Sequence, residues 1–206
     1  VTPGLDVSIS ASAGDSTLCE GETATLTVGV GSGGVEPYTY MWDNGLPPNG
    51  TVDVTPSQTT TYNVTVTDAN GCVGEASITI EVNPNPMVAA SADRTTICAG
   101  ETANLSATGS EGQAPYTFAW SNGFNGANQS VRPTTTTTYF VTVTDANGCM
   151  GNDSITINVN PKPEVSILSD KGTICLGDSA IITTSATGGT APYTFVWDNG
   201  ITGSPQ

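Results

Sequence analysis

The chain carries one strand-and-turn pattern twice, as TTTYNVTVTDANGC at 59–72 and as TTTYFVTVTDANGC at 136–149. The two copies differ only where Asn63 in the first is replaced by Phe140 in the second. In both, Tyr and Val alternate with polar residues, which indicates a β-strand with one buried face and one exposed face. The Asp-Ala-Asn-Gly that follows predicts a hairpin turn, because Asp and Asn bond the local backbone and Gly adopts positive φ. A pattern copied at a fixed spacing indicates repeated structural units.

Two further motifs divide the chain into three repeats. A Cys-x-Gly-acid motif occurs at 19–22, 98–101 and 175–178. A Pro-Tyr-Thr-aromatic-x-Trp motif occurs at 37–42, 115–120 and 192–197. We therefore predict three domains, at 1–84, 85–161 and 162–206, of which the third is incomplete and lacks its last strands.

The period-two alternation continues through each repeat, and no window shows the periodicity of an amphipathic helix. About seven short strands per repeat, with one Trp on a central strand, indicate an immunoglobulin-like β-sandwich. A Tyr also opens a late strand at the position of a tyrosine corner. The predicted core residues are Trp42, Trp120, Trp197, Tyr62 and Tyr139. We predict an all-β fold with a helix content near zero.

The segments between repeats contain paired prolines, in EVNPNPMV at 81–88 and in NVNPKPEV at 158–165. Two prolines at alternate positions favour an extended backbone and remove hydrogen-bond donors. Such linkers are short and semi-rigid. We therefore expect tandem immunoglobulin-like β-sandwiches arranged end to end.

The charge balance argues against several classes of partner. The chain has 4 Lys and Arg against 19 Asp and Glu, so its formal net charge is −15. A surface of this sign repels nucleic acid and anionic membranes. The chain also lacks an apolar run long enough to cross a bilayer. We expect no nucleic-acid partner and no membrane span.

The residue types argue against catalysis. The chain contains no His, which removes Ser-His-Asp and Cys-His nucleophile systems and zinc sites built on His. No Gly-rich loop follows a strand and opens a helix, so a phosphate-binding loop is not indicated. We predict no enzyme, no cofactor and no metal site. Calcium is an alternative, since Asp68 and Asn70 match part of a calcium-binding loop, but the rest of that loop pattern is missing.

The repeats resemble the immunoglobulin-like and PKD-like repeats of Bacteroidota surface proteins, such as SprB-type gliding adhesins and CHU_C-associated modules. The resemblance is carried by CAGE at 98–101, APYTFAWSNG at 114–123 and TTTYFVTVTDANGC at 136–149. It implies a secreted protein with an extracellular or cell-surface location. It also implies O-glycosylation at an Asp-Ser-x signal, for which the candidates are Ser16, Ser154 and Ser179.

We interpret the chain as a structural stalk or fibre segment of a secreted bacterial adhesin. Its partners would be neighbouring repeats of the same protein, and other copies of the chain in addition. One alternative is an accessory module that binds a glycan or calcium on behalf of a secreted enzyme or adhesin. A second alternative is a filament subunit, in which a strand from another copy completes the third repeat.

An exported chain favours disulfides among the five cysteines, which are Cys19, Cys72, Cys98, Cys149 and Cys175. Pairing within repeats would join Cys19 to Cys72 and Cys98 to Cys149. In a seven-stranded sandwich these cysteines lie at opposite ends, about 20 Å apart, whereas bridged Cα atoms lie within about 7 Å. We therefore favour the staggered pairing of Cys19 with Cys149. An uncounted or missing strand would reverse the geometry and restore the pairing within repeats.

Overall fold

The computed structural model describes residues 4–12, 16–198, 200 and 202, and within them it contains strands and turns but no helix. Seven strands form the first repeat: β1 Val7–Ala11, β2 Thr17–Cys19, β3 Ala24–Val30, β4 Thr39–Trp42, β5 Thr51–Val54, β6 Thr60–Thr67 and β7 Val73–Asn83. They form two sheets, in the orders β1-β3-β5 and β2-β7-β6-β4. This is the two-layer arrangement of an immunoglobulin-like sandwich.

The core of the first sandwich follows from the alternation in its strands. Strand β6 shows the pattern most clearly, because Tyr62, Val64 and Val66 are buried while the residues between them are exposed or half-buried. Leu26 on β3 of the other sheet and Ile80 on β7, the neighbouring strand of the same sheet, are also fully buried. The strands therefore bury or half-bury alternate side chains, as antiparallel sheets with one wet face do.

Strand β2 was not expected from the sequence. It has only three residues and pairs in parallel with the end of β7, where Thr17, Leu18 and Cys19 lie opposite Glu81, Val82 and Asn83. A three-residue segment is too short to show an alternation, so the periodicity could not reveal it. Its consequence is that Cys19 is held at the edge of a sheet and not in a loop.

The second repeat reproduces this layout with seven further strands: β8 Met87–Ala92, β9 Thr96–Cys98, β10 Ala103–Ser110, β11 Thr117–Trp120, β12 Asn128–Val131, β13 Thr137–Thr144 and β14 Met150–Asn160. Their sheet orders are β12-β10-β8 and β11-β13-β14-β9. Strand β9 again pairs in parallel with the end of the last strand, β14, just as β2 pairs with β7. The two complete repeats therefore share one strand arrangement.

The described part of the third repeat contains one antiparallel pair, β15 Pro163–Ser169 and β16 Ile182–Gly188. Many of its large apolar side chains are exposed, among them Ile167 and Leu168. Trp197, which the sequence places in a core, is only half-buried here. The physical reason is that the described residues of this repeat include no counterpart of β6, the strand that pairs with the Trp-bearing strand β4 in the first repeat.

The chain forms two compact units that do not coincide with the repeats. Unit 1 contains residues 1–88, 109–118 and 142–152, so it combines the first sandwich with two turn regions of the second repeat. Unit 2 contains residues 89–108, 119–141 and 153–206. The repeat boundaries after residues 84 and 161 remain predictions from the sequence.

Candidate functional site

Within unit 1, a disulfide joins Cys19 to Cys149 across 130 residues of sequence, and the two Cα atoms lie 5.5 Å apart. Cys19 is the last residue of β2, and Cys149 directly precedes β14. This is the staggered pairing. It excludes both pairings within repeats, since each of those requires Cys19 or Cys149. The bond connects the end of the first sandwich to a turn of the second repeat.

The Cys-x-Gly-acid motif forms a tight turn that fixes the backbone of its cysteine. In the first repeat, the Cys19 N–H donates to Glu22 Oε2 at 2.9 Å, and the Glu22 N–H donates to the Cys19 carbonyl at 3.0 Å. Gly21 has a φ of 89°, a conformation that L side chains rarely adopt. The acid and the Gly therefore act together to hold the cysteine at the strand end. We call this element the cysteine turn.

The Asp-Ala-Asn-Gly-Cys segment forms the hairpin loop that carries the other cysteine. In the second repeat, Asp145 Oδ1 accepts the N–H groups of Asn147 and Cys149, at 2.9 and 2.8 Å. Asp145 Oδ2 accepts the N–H of Gln113 at 2.9 Å, so the carboxylate also ties this loop to a neighbouring one. Gly148 has a φ of 85°. We call this element the cysteine loop.

The first repeat contains the same cysteine loop with the same hydrogen bonds. Asp68 Oδ1 accepts the N–H groups of Asn70 and Cys72 at 2.9 and 2.8 Å, and Asp68 Oδ2 accepts that of Val35 at 3.1 Å. Burial acts to raise the pKa of Asp68, but the backbone donors outweigh it and hold that pKa below its ordinary value. Both carboxylate oxygens are thus used by the backbone. This favours a turn-forming role for Asp68 over the calcium-ligand role considered from the sequence.

Two glycines next to the cysteine loops allow the backbone to approach closely. A Cβ on Gly151 would lie 2.0 Å from the Pro86 carbonyl oxygen. In the first repeat, a Cβ on Gly74 would lie 2.4 Å from the Leu5 carbonyl oxygen. In each repeat, therefore, the segment that precedes the first strand packs directly onto the backbone beside the cysteine loop.

Three cysteines carry free thiols in the part of the chain that the structure describes: Cys72, Cys98 and Cys175. Cys72 lies half-buried in the cysteine loop of the first repeat, whereas Cys98 and Cys175 lie exposed in cysteine turns. The turn of Cys98 repeats that of Cys19, since the Cys98 N–H donates to Glu101 Oε2 at 3.0 Å. Cys175 makes the corresponding bond to Asp178 at 3.4 Å.

The other residues singled out in the sequence lie as follows. The buried aromatic residues, each 4–7% exposed, are Trp42, Trp120, Tyr62 and Tyr139. Each buried Trp donates its indole N–H to a backbone carbonyl, that of Asn49 or that of Gly126. The exposed candidates for O-glycosylation are Ser16, Ser154 and Ser179.

The described residues include no group of three or more His, Cys, Asp or Glu side chains that could hold a metal ion. No helix that could cross a bilayer is found among these residues either.

A polar groove of about 700 Å³ lies in the second repeat, within unit 2. Amide and hydroxyl side chains line it together with the aromatic ring of Phe124, which is 39% exposed. Asp93 holds Asn104 in place through two hydrogen bonds of 2.8 Å. The backbone N–H of Asn104 donates to Asp93 Oδ1, and its side-chain Nδ2 donates to Asp93 Oδ2. These bonds, led by the one from the backbone N–H, lower the pKa of Asp93.

The same groove contains a polar atom without a partner. Gln129 Oε1 accepts a bond from Asn122 Nδ2 at 2.7 Å, whereas Gln129 Nε2 is buried and makes no hydrogen bond among the described residues. Gln129 pairs with Leu105 on the neighbouring strand β10. In the first repeat, the equivalent Leu26 pairs with the buried Val52. The second repeat therefore has an amide at the place where the first has a core Val.

Comparisons with known proteins support an immunoglobulin-like fold and a local match to a surface-protein repeat. Residues 174–202 match the family model of the SprB repeat. An uncharacterized protein of Ruminiclostridium cellulolyticum is 31% identical over 153 residues, which cover 73% of this chain and 42% of that protein. Among solved structures, the N-terminal eight Ig domains of Down Syndrome Cell Adhesion Molecule match 93% of this chain and 28% of their own length, with a TM-score of 0.59 and 16% identity. The chain spans less than half of each of these two proteins, and the structural match shows an immunoglobulin-like fold.

Proposed function

We propose that this chain is a structural segment of a secreted bacterial cell-surface adhesin, in which successive immunoglobulin-like repeats form a stalk. The observation that carries the proposal is the Cys19–Cys149 disulfide, which connects one repeat to the next and not the two sheets of one sandwich. A bond placed there resists separation of neighbouring repeats, and disulfides persist in oxidising extracellular surroundings. The SprB-repeat match supports the same class of surface protein.

The residue chemistry also supports a role without catalysis. The carboxylates that recur between repeats accept hydrogen bonds from backbone N–H groups, as Glu22 and Asp145 do. Carboxylates that accept these backbone hydrogen bonds stabilise turns and are not available as acids or bases. The exposed Ser16, Ser154 and Ser179 remain proposed O-glycosylation sites of the exported protein.

Small-angle scattering of the oxidised chain tests the stalk role, which requires an elongated molecule in solution. A compact globule of this length has a radius of gyration of about 17 Å. The proposal expects a clearly larger radius of gyration for the oxidised chain. It also expects a different radius of gyration for the Cys19→Ser variant, because loss of the disulfide loosens the connection between repeats. A value near that of the globule for the oxidised chain would contradict the stalk.

A second candidate function is the binding of a neutral saccharide in the groove of the second repeat. The observation that favours it is the combination of an exposed Phe124 ring with fixed amide groups and the unpartnered Gln129 Nε2. Sugars stack on aromatic rings and hydrogen-bond to amides. A glycan array followed by calorimetry tests it, with Phe124→Ala expected to abolish binding and Phe140→Ala, on an exposed strand position, expected to preserve it. Equal effects of the two variants, or no bound glycan, would contradict it.

Calorimetry with calcium alone tests the calcium alternative in the same way.

A further inference from the structure

Cys72 carries a free thiol in the cysteine loop of the first repeat. In the second repeat, the cysteine of the same loop, Cys149, forms a disulfide. The eight residues TVTDANGC at 65–72 and 142–149 are identical. Cys149 in the second copy is bonded to the cysteine turn of another repeat. The second repeat therefore shows directly what kind of group this loop receives, which is the thiol of a cysteine turn.

The complementary group is also present and free. Among the described residues, Cys98 and Cys175 lie exposed in cysteine turns, the element to which Cys149 is bonded through Cys19. The Cys98 turn has the same two internal hydrogen bonds as the Cys19 turn, from Cys98 N to Glu101 Oε2 and from Glu101 N to the Cys98 carbonyl. One molecule thus carries both halves of the observed connection in unbonded form.

We propose that the cysteine loop of Cys72 is a docking site for the cysteine turn of a second copy of this chain, and that the contact is closed by a disulfide from Cys72 to Cys98 or Cys175. This inference rests on the Cys19–Cys149 bond and goes beyond the stalk role, because it names a partner and a point of attachment. The proposed contact connects copies head to tail, because the cysteine loop of one copy binds the cysteine turn of the next.

The reaction is thiol–disulfide exchange with a small-molecule disulfide as the oxidant. The Cys72 thiolate attacks oxidised glutathione, which forms a mixed disulfide and releases one glutathione thiolate. The turn thiolate of the second copy then attacks the Cys72 sulfur of the mixed disulfide and releases the second glutathione thiolate. Two protein thiols lose two protons and two electrons, and one glutathione disulfide becomes two glutathione thiols.

Two variants separate the halves of the contact. In one, Cys98→Ser and Cys175→Ser leave Cys72 as the only free thiol. In the other, Cys72→Ser leaves only the turn thiols. Both keep the Cys19–Cys149 bond, and equal melting temperatures in the oxidised state show that both are folded.

Each variant is incubated alone and in an equal mixture with oxidised glutathione, and the products are separated under non-reducing conditions. The proposal expects a disulfide-linked dimer chiefly in the mixture, with Cys72 joined to a turn cysteine in peptide maps, and loss of this preference in denaturant. Dimers formed equally by each variant alone would show unselective oxidation and overturn it. In the unsubstituted chain, a bond from Cys72 to a turn cysteine of the same molecule would overturn the assignment to a second copy.

Discussion

Cys19 and Cys149 are 130 residues apart in the sequence, and a disulfide brings their Cα atoms to 5.5 Å. Cys19 ends a short edge strand of the first sandwich, and Cys149 ends the hairpin loop of the second repeat. Each is held by an acidic side chain, Glu22 or Asp145, that accepts its backbone N–H. The repeats are therefore joined covalently at a place where two copied turns meet.

Removal of this bond is expected to destabilise unit 1. Cys19→Ser reopens a loop of more than 100 residues, for which the loss in unfolding free energy is about 4 kcal/mol. Urea denaturation followed by Trp fluorescence measures it. Cys98→Ser is the matched control, because Cys98 lies in the same type of turn without a bond. Equal stability of the two variants would show that the bond does not stabilise the fold.

Trp120 is expected to be essential for the second sandwich. Its side chain is 4% exposed, and its indole N–H donates to the Gly126 carbonyl at 3.0 Å. Trp120→Ala should cost about 3–5 kcal/mol, as truncations of large core residues do. Phe140→Ala, at a position 59% exposed, should change stability by less than about 0.5 kcal/mol. A loss below 1 kcal/mol for Trp120→Ala in denaturant melts would contradict its place in the core.

Close packing of the backbone beside the cysteine loop predicts a strict requirement for Gly151. A Cβ there would lie 2.0 Å from the Pro86 carbonyl oxygen, so the two backbone segments must separate. Gly151→Ala should cost about 2 kcal/mol, in the range of overpacked sites. Gly4→Ala serves as control, since a Cβ on Gly4 meets no atom within 4 Å. A melt of Gly151→Ala that matches the control would disprove the close approach.

The lowered pKa of Asp68 predicts a defined pH dependence. Because the folded-state pKa lies below the unfolded value of about 3.9, the carboxylate stabilises the fold fully above that value. The contribution is lost as the pH falls through the folded-state pKa. Asp68→Asn should therefore be less stable than the unsubstituted chain at pH 7, and the difference should shrink by pH 2–3. Thermal melts across this range measure it, and a difference that stays constant would refute the assignment.

The sequence reveals those parts of the fold that depend on alternation over several residues. Strand β6 is an example, since Tyr62, Val64 and Val66 follow one another at a period of two and are all buried. Strand β2 could not be found, because three residues show no period. The half-burial of Trp197 was also missed. Its sequence motif matches that of Trp120, but its burial depends on strands outside that motif, and sequence similarity of the motif carries no information about them.

The candidate site was only partly visible for the same reason. The staggered cysteine pairing followed from the strand count, which places the two motifs of one repeat at opposite ends. The use of Asp145 Oδ2 by the Gln113 N–H could not be foreseen, because those residues are 32 positions apart. Contacts between loops depend on how the strands are arranged in space, and local patterns do not encode them.

Disulfide mapping tests the central claim, that one repeat is bonded to the next, most directly. Cleavage after glutamate under non-reducing conditions is suited to it, because Glu residues lie between every two successive cysteines of the chain. Free thiols are first blocked with iodoacetamide. The structure predicts that the peptide ending at Glu20, which carries Cys19, is linked to the peptide that carries Cys149, with Cys72, Cys98 and Cys175 alkylated in the freshly purified monomer. A Cys19–Cys72 or Cys98–Cys149 peptide in its place would contradict the account.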